Sequence, residues 1–235
     1  MRSRWRGEGS QHQGGRSYQE DSWALQPLAD GSLLAIVADG MGGHAGGATA
    51  SKLVVEAMVR SVERGGSLDD ALQKANAAVR EGGKGRPELE GMGSTVVAAL
   101  VASDEIRWIS VGDSPFYLVA GNKLERLNAD HSMAPQIDAM VARGLLTEDE
   151  AEHHPGRHTL REAVMGDPLT LIDKGTRRLG PDARLLVCSD GAQSLTMEQI
   201  LGQIGRPAEG IVQAVLAAAK EHQDNVTVVK LERAR

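Results

Sequence analysis

Six short apolar runs along the chain have the length and composition of β-strands. Val, Ile and Leu are enriched in them, and turn-forming residues bound them. They span residues 32–38, 94–102, 105–111, 116–120, 184–188 and 226–231. Ser103-Asp104 between two runs predicts a hairpin, and Gly121-Asn122 before Lys123 predicts another.

Three longer segments show helical periodicity, with apolar residues recurring every three or four positions. They span residues 48–64, 67–80 and 207–222. Ser67 is the expected N-cap of the second segment. Shorter helices are predicted to begin at Thr147, where Thr-Glu-Asp-Glu forms a capping box, and at Thr196. Because strands and helices come in groups without regular alternation, the pattern favours antiparallel sheets with helices on their outer faces.

The segment at about residues 130–158 is polar, rich in histidine and lacks strand signals. It is interpreted as an inserted helical flap. The length of 235 residues suits a single domain, so we expect one domain over residues 1–235 that carries this flap.

Composition and charge exclude several function classes. The formal net charge of −6 argues against nucleic-acid binding, and Arg2, Arg4 and Arg6 are interpreted as a solvated terminus. The single cysteine, Cys188, excludes an intramolecular disulfide and a cysteine-based zinc finger. No apolar run reaches membrane-spanning length, and no secretory signal is present, so a cytoplasmic protein without a membrane partner is expected.

Four of the strand-like runs carry an aspartate at one tip. These aspartates are Asp39, Asp113, Asp190 and Asp224. Glycine follows two of them, at Gly40 and Gly191, where it permits unusual backbone angles and allows close approach of a backbone carbonyl to a ligand. Carboxylates with a carbonyl and water suit Mg²⁺ or Mn²⁺, for which a phosphate ester is a natural substrate. The alternative is that each is a turn residue, and spacing alone does not show that the four converge.

Seven short segments resemble the metal-dependent protein phosphatases of the protein phosphatase 2C group, in their compact bacterial form. They occur in the order found in that family. They span residues 16–21, 39–44, 91–95, 112–114, 130–132, 189–191 and 224–228. The segment 39–44 (Asp-Gly-Met-Gly-Gly-His) is distinctive, whereas the short Gly-Asp-Ser and Ser-Asp-Gly segments are weak alone.

The resemblance implies an α+β fold, a four-layer α-β-β-α sandwich of two antiparallel sheets flanked by helices, with the flap near the active site. It implies a phosphatase catalytic domain that hydrolyses phosphoserine and phosphothreonine on proteins. A hydroxide bridging two Mn²⁺ or Mg²⁺ ions would attack phosphorus without a phosphoenzyme. The expected partners are phosphorylated proteins, among them a serine/threonine kinase or its targets, and a monomer is expected.

The resemblance also implies the metal ligands. Asp39 would bridge two metals, and the Gly40 carbonyl would ligate one of them. Asp190 and Asp224 would complete the other. Asp113, together with Asp190, would form a weaker site for a third ion.

Three further residues receive roles through the same resemblance. Glu20 would act mainly through metal-bound water, and Asp21 would support Glu20 without itself contacting the metals. Arg16 would grip the substrate phosphate, since a planar guanidinium can make two parallel hydrogen bonds to it. The alternative for Arg16 is a surface salt bridge.

Several positions depart from the family pattern without removing a proposed ligand. They are Gln19, Ala48, Pro115, His158 and Ala192, where Asn, Glu, Arg, Asn and Leu are common. Ala48 and Pro115 remove charged groups that would support the site, so activity or metal affinity could be lower.

Protonation of the leaving group stays open at this point. Met41 stands where eukaryotic members carry a histidine proposed as the general acid. A metal-bound water, His131 or His153 could serve instead. His44 is interpreted as a structural or supporting histidine.

Other functions remain as alternatives. The chain could be a pseudophosphatase that binds phosphorylated partners with little turnover, or a hydrolase of small phosphate esters. A cysteine phosphatase is disfavoured, because Ser194 stands six positions after Cys188, where an arginine would be needed. The glycines at 42–47 match neither the P-loop nor the dinucleotide-binding pattern.

Overall fold

The computed structural model of the chain describes residues 5–43, 45–218 and 223–234. Its strands are β1 (Trp5–His12), β2 (Asp21–Pro27), β3 (Leu33–Met41), β4 (Gly93–Ser94), β5 (Val96–Ala102), β6 (Glu105–Val111), β7 (Phe116–Ala120), β8 (Lys123–Arg126), β9 (Asp173–Arg178), β10 (Arg184–Cys188) and β11 (Val226–Arg233). Its α-helices are α1 (Ala45–Glu63), α2 (Leu68–Gly83), α3 (Ala134–Ala142), α4 (Glu148–Glu152), α5 (Met197–Gln203) and α6 (Ala208–Ala217). Short 3₁₀ turns occupy Pro87–Leu89 and Asp190–Ser194.

These strands form two antiparallel sheets. The first has the strand order β1-β11-β10-β7-β8, and the second has the order β2-β3-β5-β6-β9, with β4 paired to β3. In both sheets, every neighbouring pair of strands is antiparallel. Antiparallel sheets were predicted, and they are confirmed.

Alternation of side chains along the central strands produces four layers. In β3, Leu34 and Ile36 pack against α1 and α2, whereas Ala35 and Val37 face the other sheet. In β10 the side chain of Leu185 lies between the sheets, and neighbouring side chains of that strand pack against α5 and α6. Since successive side chains of a strand point to opposite faces, each sheet separates two apolar clusters. The α-β-β-α sandwich is therefore confirmed.

All six predicted strands are present, and both predicted hairpins are confirmed by the pairs Ala102↔Glu105 and Ala120↔Lys123. Strands β1, β2 and β9 were not predicted. Two of them contain glycines whose space is filled by tryptophan. A Cβ atom on Gly9 would lie 2.4 Å from the ring of Trp23, and one on Gly175 would lie 2.3 Å from Trp108. In these two edge strands, a tryptophan from another strand therefore provides the apolar packing that the glycines lack.

The helix starts agree closely with the sequence. Ser67, Thr147 and Thr196 each accept a hydrogen bond from the third helical residue, and each capping box is complete. Helices α3 and α4 lie within the segment predicted as a helical flap. Residues 219–222 at the predicted end of the last helix, with Arg2, Arg4 and His44, fall outside the described residues.

The core between the sheets offers a test of the packing. Phe116 is fully buried, and its ring meets Trp108 edge-on, with the ring centroids 5.9 Å apart. Phe116→Ala should lower the free energy of unfolding by about 3–5 kcal/mol, because it removes the ring and leaves a cavity. Leu145→Ala, at a side chain 64% exposed, should change it by less than about 0.5 kcal/mol. Denaturant unfolding measures both, and equal effects would contradict the packing described.

Candidate metal and phosphate site

Asp39 and Asp21 stand side by side because of strand register. β2 and β3 pair so that Asp21 lies opposite Asp39. Thr95 fixes the Asp39 backbone from the other side, since its hydroxyl accepts from Asp39 N at 3.1 Å and its amide donates to Asp39 O at 2.8 Å. β3 continues to Met41, so Asp39 lies near the end of the strand rather than after it.

The other three aspartates reach the same end of the sandwich. β10 and β11 pair with Cys188 opposite Val228, so Asp190 just after one strand and Asp224 just before the other lie at the same edge. Asp113 follows β6 in the second sheet. With Asp39 they line one cleft of about 490 Å³. The predicted strand-tip aspartates are therefore brought together.

The same cleft contains further predicted site residues. Arg16, Glu20 and Gly40 also line it. The guanidinium of Arg16 donates to Asp224 Oδ2 at 2.5 Å, so the salt bridge considered for Arg16 exists and is made to a candidate metal ligand. The Arg16 side chain is 54% exposed, so it remains accessible from solvent.

Asp21 lies behind the cleft rather than in its lining. It is buried, and its Oδ2 atom accepts hydrogen bonds from Ser189 Oγ and Thr227 Oγ1, both at 2.7 Å. Thr227 N in turn donates to Ser189 Oγ at 2.9 Å. Asp21 therefore links β2 of one sheet to β11 and to the residue after β10 in the other sheet, next to Asp39.

Glycine after the carboxylate is required here by close packing. A Cβ atom on Gly40 would lie 2.1 Å from the carbonyl oxygen of Gly47, and one on Gly191 would lie 2.0 Å from that of Asn225. Neither glycine is among the described residues with positive φ. Glycine is therefore needed at these two positions for close packing and not for unusual backbone angles.

Asn225 and Gln19 hold the loop that carries Glu20. Asn225 Oδ1 accepts from Glu20 N at 2.7 Å, and its Nδ2 donates to the carbonyl oxygens of Gln13 and Tyr18. Gln19 Oε1 accepts from Asp21 N at 2.9 Å. The longer Gln19 side chain at the position of the family's asparagine thus still supports the loop, and no role for Asn225 had been predicted.

Burial and mutual repulsion shift the pKa values of the acidic cluster. Burial, and then the charges of Asp21 and Asp190, raise the pKa of Asp39 well above its ordinary value. Burial raises the pKa of Asp21 to about 7, although two hydroxyl groups donate hydrogen bonds to it. Burial also raises the pKa of Asp113 to about 7. Burial and then the charge of Asp224 raise the pKa of Asp190, whereas a hydrogen bond with Asp39 lowers it. The cluster therefore binds protons strongly without a cation.

The donor set fits hard divalent cations. Among the described residues, no hydrogen-bond partner reaches the buried oxygens Asp21 Oδ1 and Asp190 Oδ1. Carboxylate oxygens with the Gly40 carbonyl are the ligands that Mg²⁺ and Mn²⁺ accept. In the described part of the chain, no three Asp, Glu, His or Cys side chains already have the arrangement that one ion needs. Side-chain movement on binding is therefore expected.

The flap histidines are placed differently from the sequence expectation. His131 is buried, its Nδ1 accepts from Gly112 N at 3.3 Å, and burial lowers its pKa. His153 is exposed immediately after α4, and neither residue lines the cleft. Of the residues that the structure describes, His158 is the histidine that lines the cleft.

Cys188 is a core thiol, as the apolar run around it indicated. It is buried among residues that pack against α5 and α6. Burial raises the pKa of the Cys188 thiol to about 12, so it carries no reactive thiolate near neutral pH. A cysteine nucleophile is thereby excluded at this position.

Comparison with known proteins agrees with this site. A model of the protein phosphatase 2C family matches residues 8–224. The serine/threonine protein phosphatase PstP of Mycobacterium tuberculosis is 36% identical over 226 residues, which cover 91% of this chain and 42% of PstP. The serine/threonine phosphatase stp of Listeria monocytogenes is 29% identical over 234 residues, which cover 93% of this chain and 91% of that protein.

A solved structure extends the likeness to the whole fold. The catalytic domain of PstP in complex with two manganese ions matches with a TM-score of 0.82 and 28% identity, covering 98% of this chain and 99% of that one. Two packed antiparallel sheets with flanking helices are the fold of the metal-dependent phosphatases, and this chain belongs to the protein phosphatase 2C family. In the residues that the structure describes, no helix is long and apolar enough to cross a membrane.

The acidic cluster predicts a pH dependence for the metal-free protein. A raised pKa in the folded state means that the cluster contributes stability when protonated, below its ordinary value of 3.8. That contribution is lost as the pH rises through about 7 for Asp21 and Asp113. Asp39→Asn removes one charge, so it should unfold at a higher temperature than the wild type at pH 8 and show a smaller loss with pH.

Thermal unfolding in a chelator across this pH range measures both effects. Asp182→Asn, in the exposed turn before β10, serves as the control and should follow the wild type. If Asp39→Asn followed the wild type as well, the repulsion assigned to the cluster would be contradicted.

Proposed function

We propose that this chain hydrolyses phosphoserine and phosphothreonine on proteins at a binuclear Mn²⁺ or Mg²⁺ centre. The observation that carries the proposal is the convergence of Asp39, Asp113, Asp190 and Asp224, from the ends of strands in both sheets, on one cleft. Two bound cations would supply Lewis acidity toward the phosphoryl oxygens and lower the pKa of water.

Four residues of the chain would hold the two cations. Asp39 would bridge the two cations, Gly40 would ligate one through its carbonyl, and Asp190 and Asp224 would hold the other. Buried carboxylates that repel one another bind protons without a cation, so cation binding should release protons.

Arg16 and Glu20 would act on the substrate side of the same cleft. The Arg16 guanidinium, now on Asp224, would donate to the phosphoryl oxygens and keep the phosphate near the attacking water. Glu20 would hold water beside the cations. Asp21, fixed by Ser189 and Thr227, would keep this end of β2 in place.

Phosphorylated proteins are the proposed substrates, with a serine/threonine kinase or its targets among them. PstP and stp, the relatives named above, are both serine/threonine phosphatases. A cytoplasmic location, a monomeric state and a single catalytic domain over residues 1–235 stay predictions.

Removal of a central ligand should abolish turnover without unfolding the chain. Asp39→Ala and Asp190→Ala should each lower kcat for Mn²⁺-dependent hydrolysis of a phosphothreonine peptide by at least about 10³-fold. The reason is that the cations would provide most of the electrostatic stabilisation of the transition state. Asp182→Ala is the matched control and should keep full activity. Circular dichroism checks folding, and folded variants with undiminished turnover would refute the assignment.

Asp113 should govern a separate, weaker ion. Asp113 lines the same cleft as Asp190, and after burial the charge of Asp190 is the largest cause that raises its pKa. Asp113→Ala should remove the weakest Mn²⁺ binding event in calorimetry and slow turnover, while the two tighter events persist. A titration with no event lost would contradict a third site.

The alternatives are separated by two substrates assayed side by side with Mn²⁺. A protein phosphatase should turn over both a phosphothreonine peptide and a chromogenic aryl phosphate. Binding of the peptide without turnover of either would favour a pseudophosphatase. Turnover of the aryl ester alone would favour a hydrolase of small phosphate esters.

A further inference from the structure

The leaving group of a phosphoserine or phosphothreonine substrate creates a chemical need that the cleft must meet. The alkoxide of serine or threonine is strongly basic, so its departure from phosphorus is helped by a proton given in the transition state. An aryl oxide is far less basic and leaves without that help. Met41, which lines the cleft, has no proton to give.

The polar side chains that line the cleft differ in their ability to supply a proton. Arg16 does not release its proton in proteins. Carboxylates that hold cations are deprotonated. Histidine is the side chain that enzymes most often use for proton transfer, and His158 provides the imidazole among the described lining residues.

The flap holds His158 at the cleft through contacts on both sides of it. Arg157 Nη1 donates to Asp138 Oδ1 of α3 at 2.7 Å, immediately before His158. Thr159 O accepts from Met133 N at 2.9 Å, immediately after it. Leu160 then bridges to Ser132 and lines the cleft itself. The backbone that carries the imidazole is therefore anchored to the start and body of α3.

We propose that His158 donates the proton to the leaving seryl or threonyl oxygen, an assignment that rests on the proposed function. The oxygen of water forms a bond to phosphorus, and the bond between phosphorus and the side-chain oxygen of the substrate breaks. That oxygen takes a proton from the imidazolium of His158. The proton lost by the attacking water passes to solvent, and the imidazole is reprotonated from solvent, so no other reactant is consumed.

The dependence on the leaving group tests this assignment. His158→Asn and His158→Gln should lower kcat for a phosphothreonine peptide by about 100-fold, the size of a general-acid effect, and that for an aryl phosphate by less than about threefold. His153→Gln, at the exposed residue immediately after α4, is the matched flap control and should leave both rates unchanged. Melting temperature and Mn²⁺ calorimetry of the His158 variants should match the wild type.

The other outcomes overturn the assignment in recognisable ways. Equal losses on the two substrates would place His158 in phosphate binding, and no loss on the peptide would remove it from the chemistry. Weakened Mn²⁺ binding would place it with the cations, and an effect of His153→Gln confined to the peptide would move the role to that residue. If the wild-type chain fails to hydrolyse the peptide, the proposed function itself fails, and this assignment fails with it.

Discussion

Mutual repulsion among carboxylates at one end of the sandwich is the constraint on which the site depends. Burial raises the pKa values of Asp39 and Asp190, and neighbouring carboxylates raise them further, Asp21 and Asp190 for Asp39 and Asp224 for Asp190, at an energetic cost to the folded chain. Their approach is enforced by strand register and by the hydroxyls of Ser189 and Thr227, which tie Asp21 of one sheet to the other sheet. A bound cation would turn this repulsion into attraction, so the geometry that weakens the metal-free protein is the geometry that the proposed metal site would use.

Much of the fold could be predicted from the sequence because the central strands are apolar on both faces. β3 and β10 are buried between the other sheet and a helix layer, so their sequences are nearly continuous runs of apolar residues such as Val, Ile and Leu. The edge strands β1 and β9 could not be found in this way. They are polar or glycine-rich, and their glycines are covered by Trp23 of β2 in the opposite sheet and by Trp108 of the paired strand β6.

The site was predictable in its members but not in its geometry. An aspartate at a strand tip is visible in the sequence, whereas the end of the sandwich that it reaches depends on strand order and direction. The roles of Asp39 and Asp190 therefore came from the family resemblance, and the cleft that joins them came from the structure. In the sequence, His158 is notable only because asparagine is common at that position in the family. Its place at the cleft could not be predicted, because the path of the flap depends on tertiary contacts such as that of Arg157 with Asp138.

Cation binding by the aspartate cluster is measured most directly by a crystal structure of the chain soaked in Mn²⁺, with anomalous scattering recorded at the manganese edge. Two strong anomalous peaks are expected in the cleft, with Asp39 in contact with both and with Asp190 and Asp224 in contact with one of them. Ions bound elsewhere, or a cleft whose aspartates stay paired with protons at saturating Mn²⁺, would contradict it.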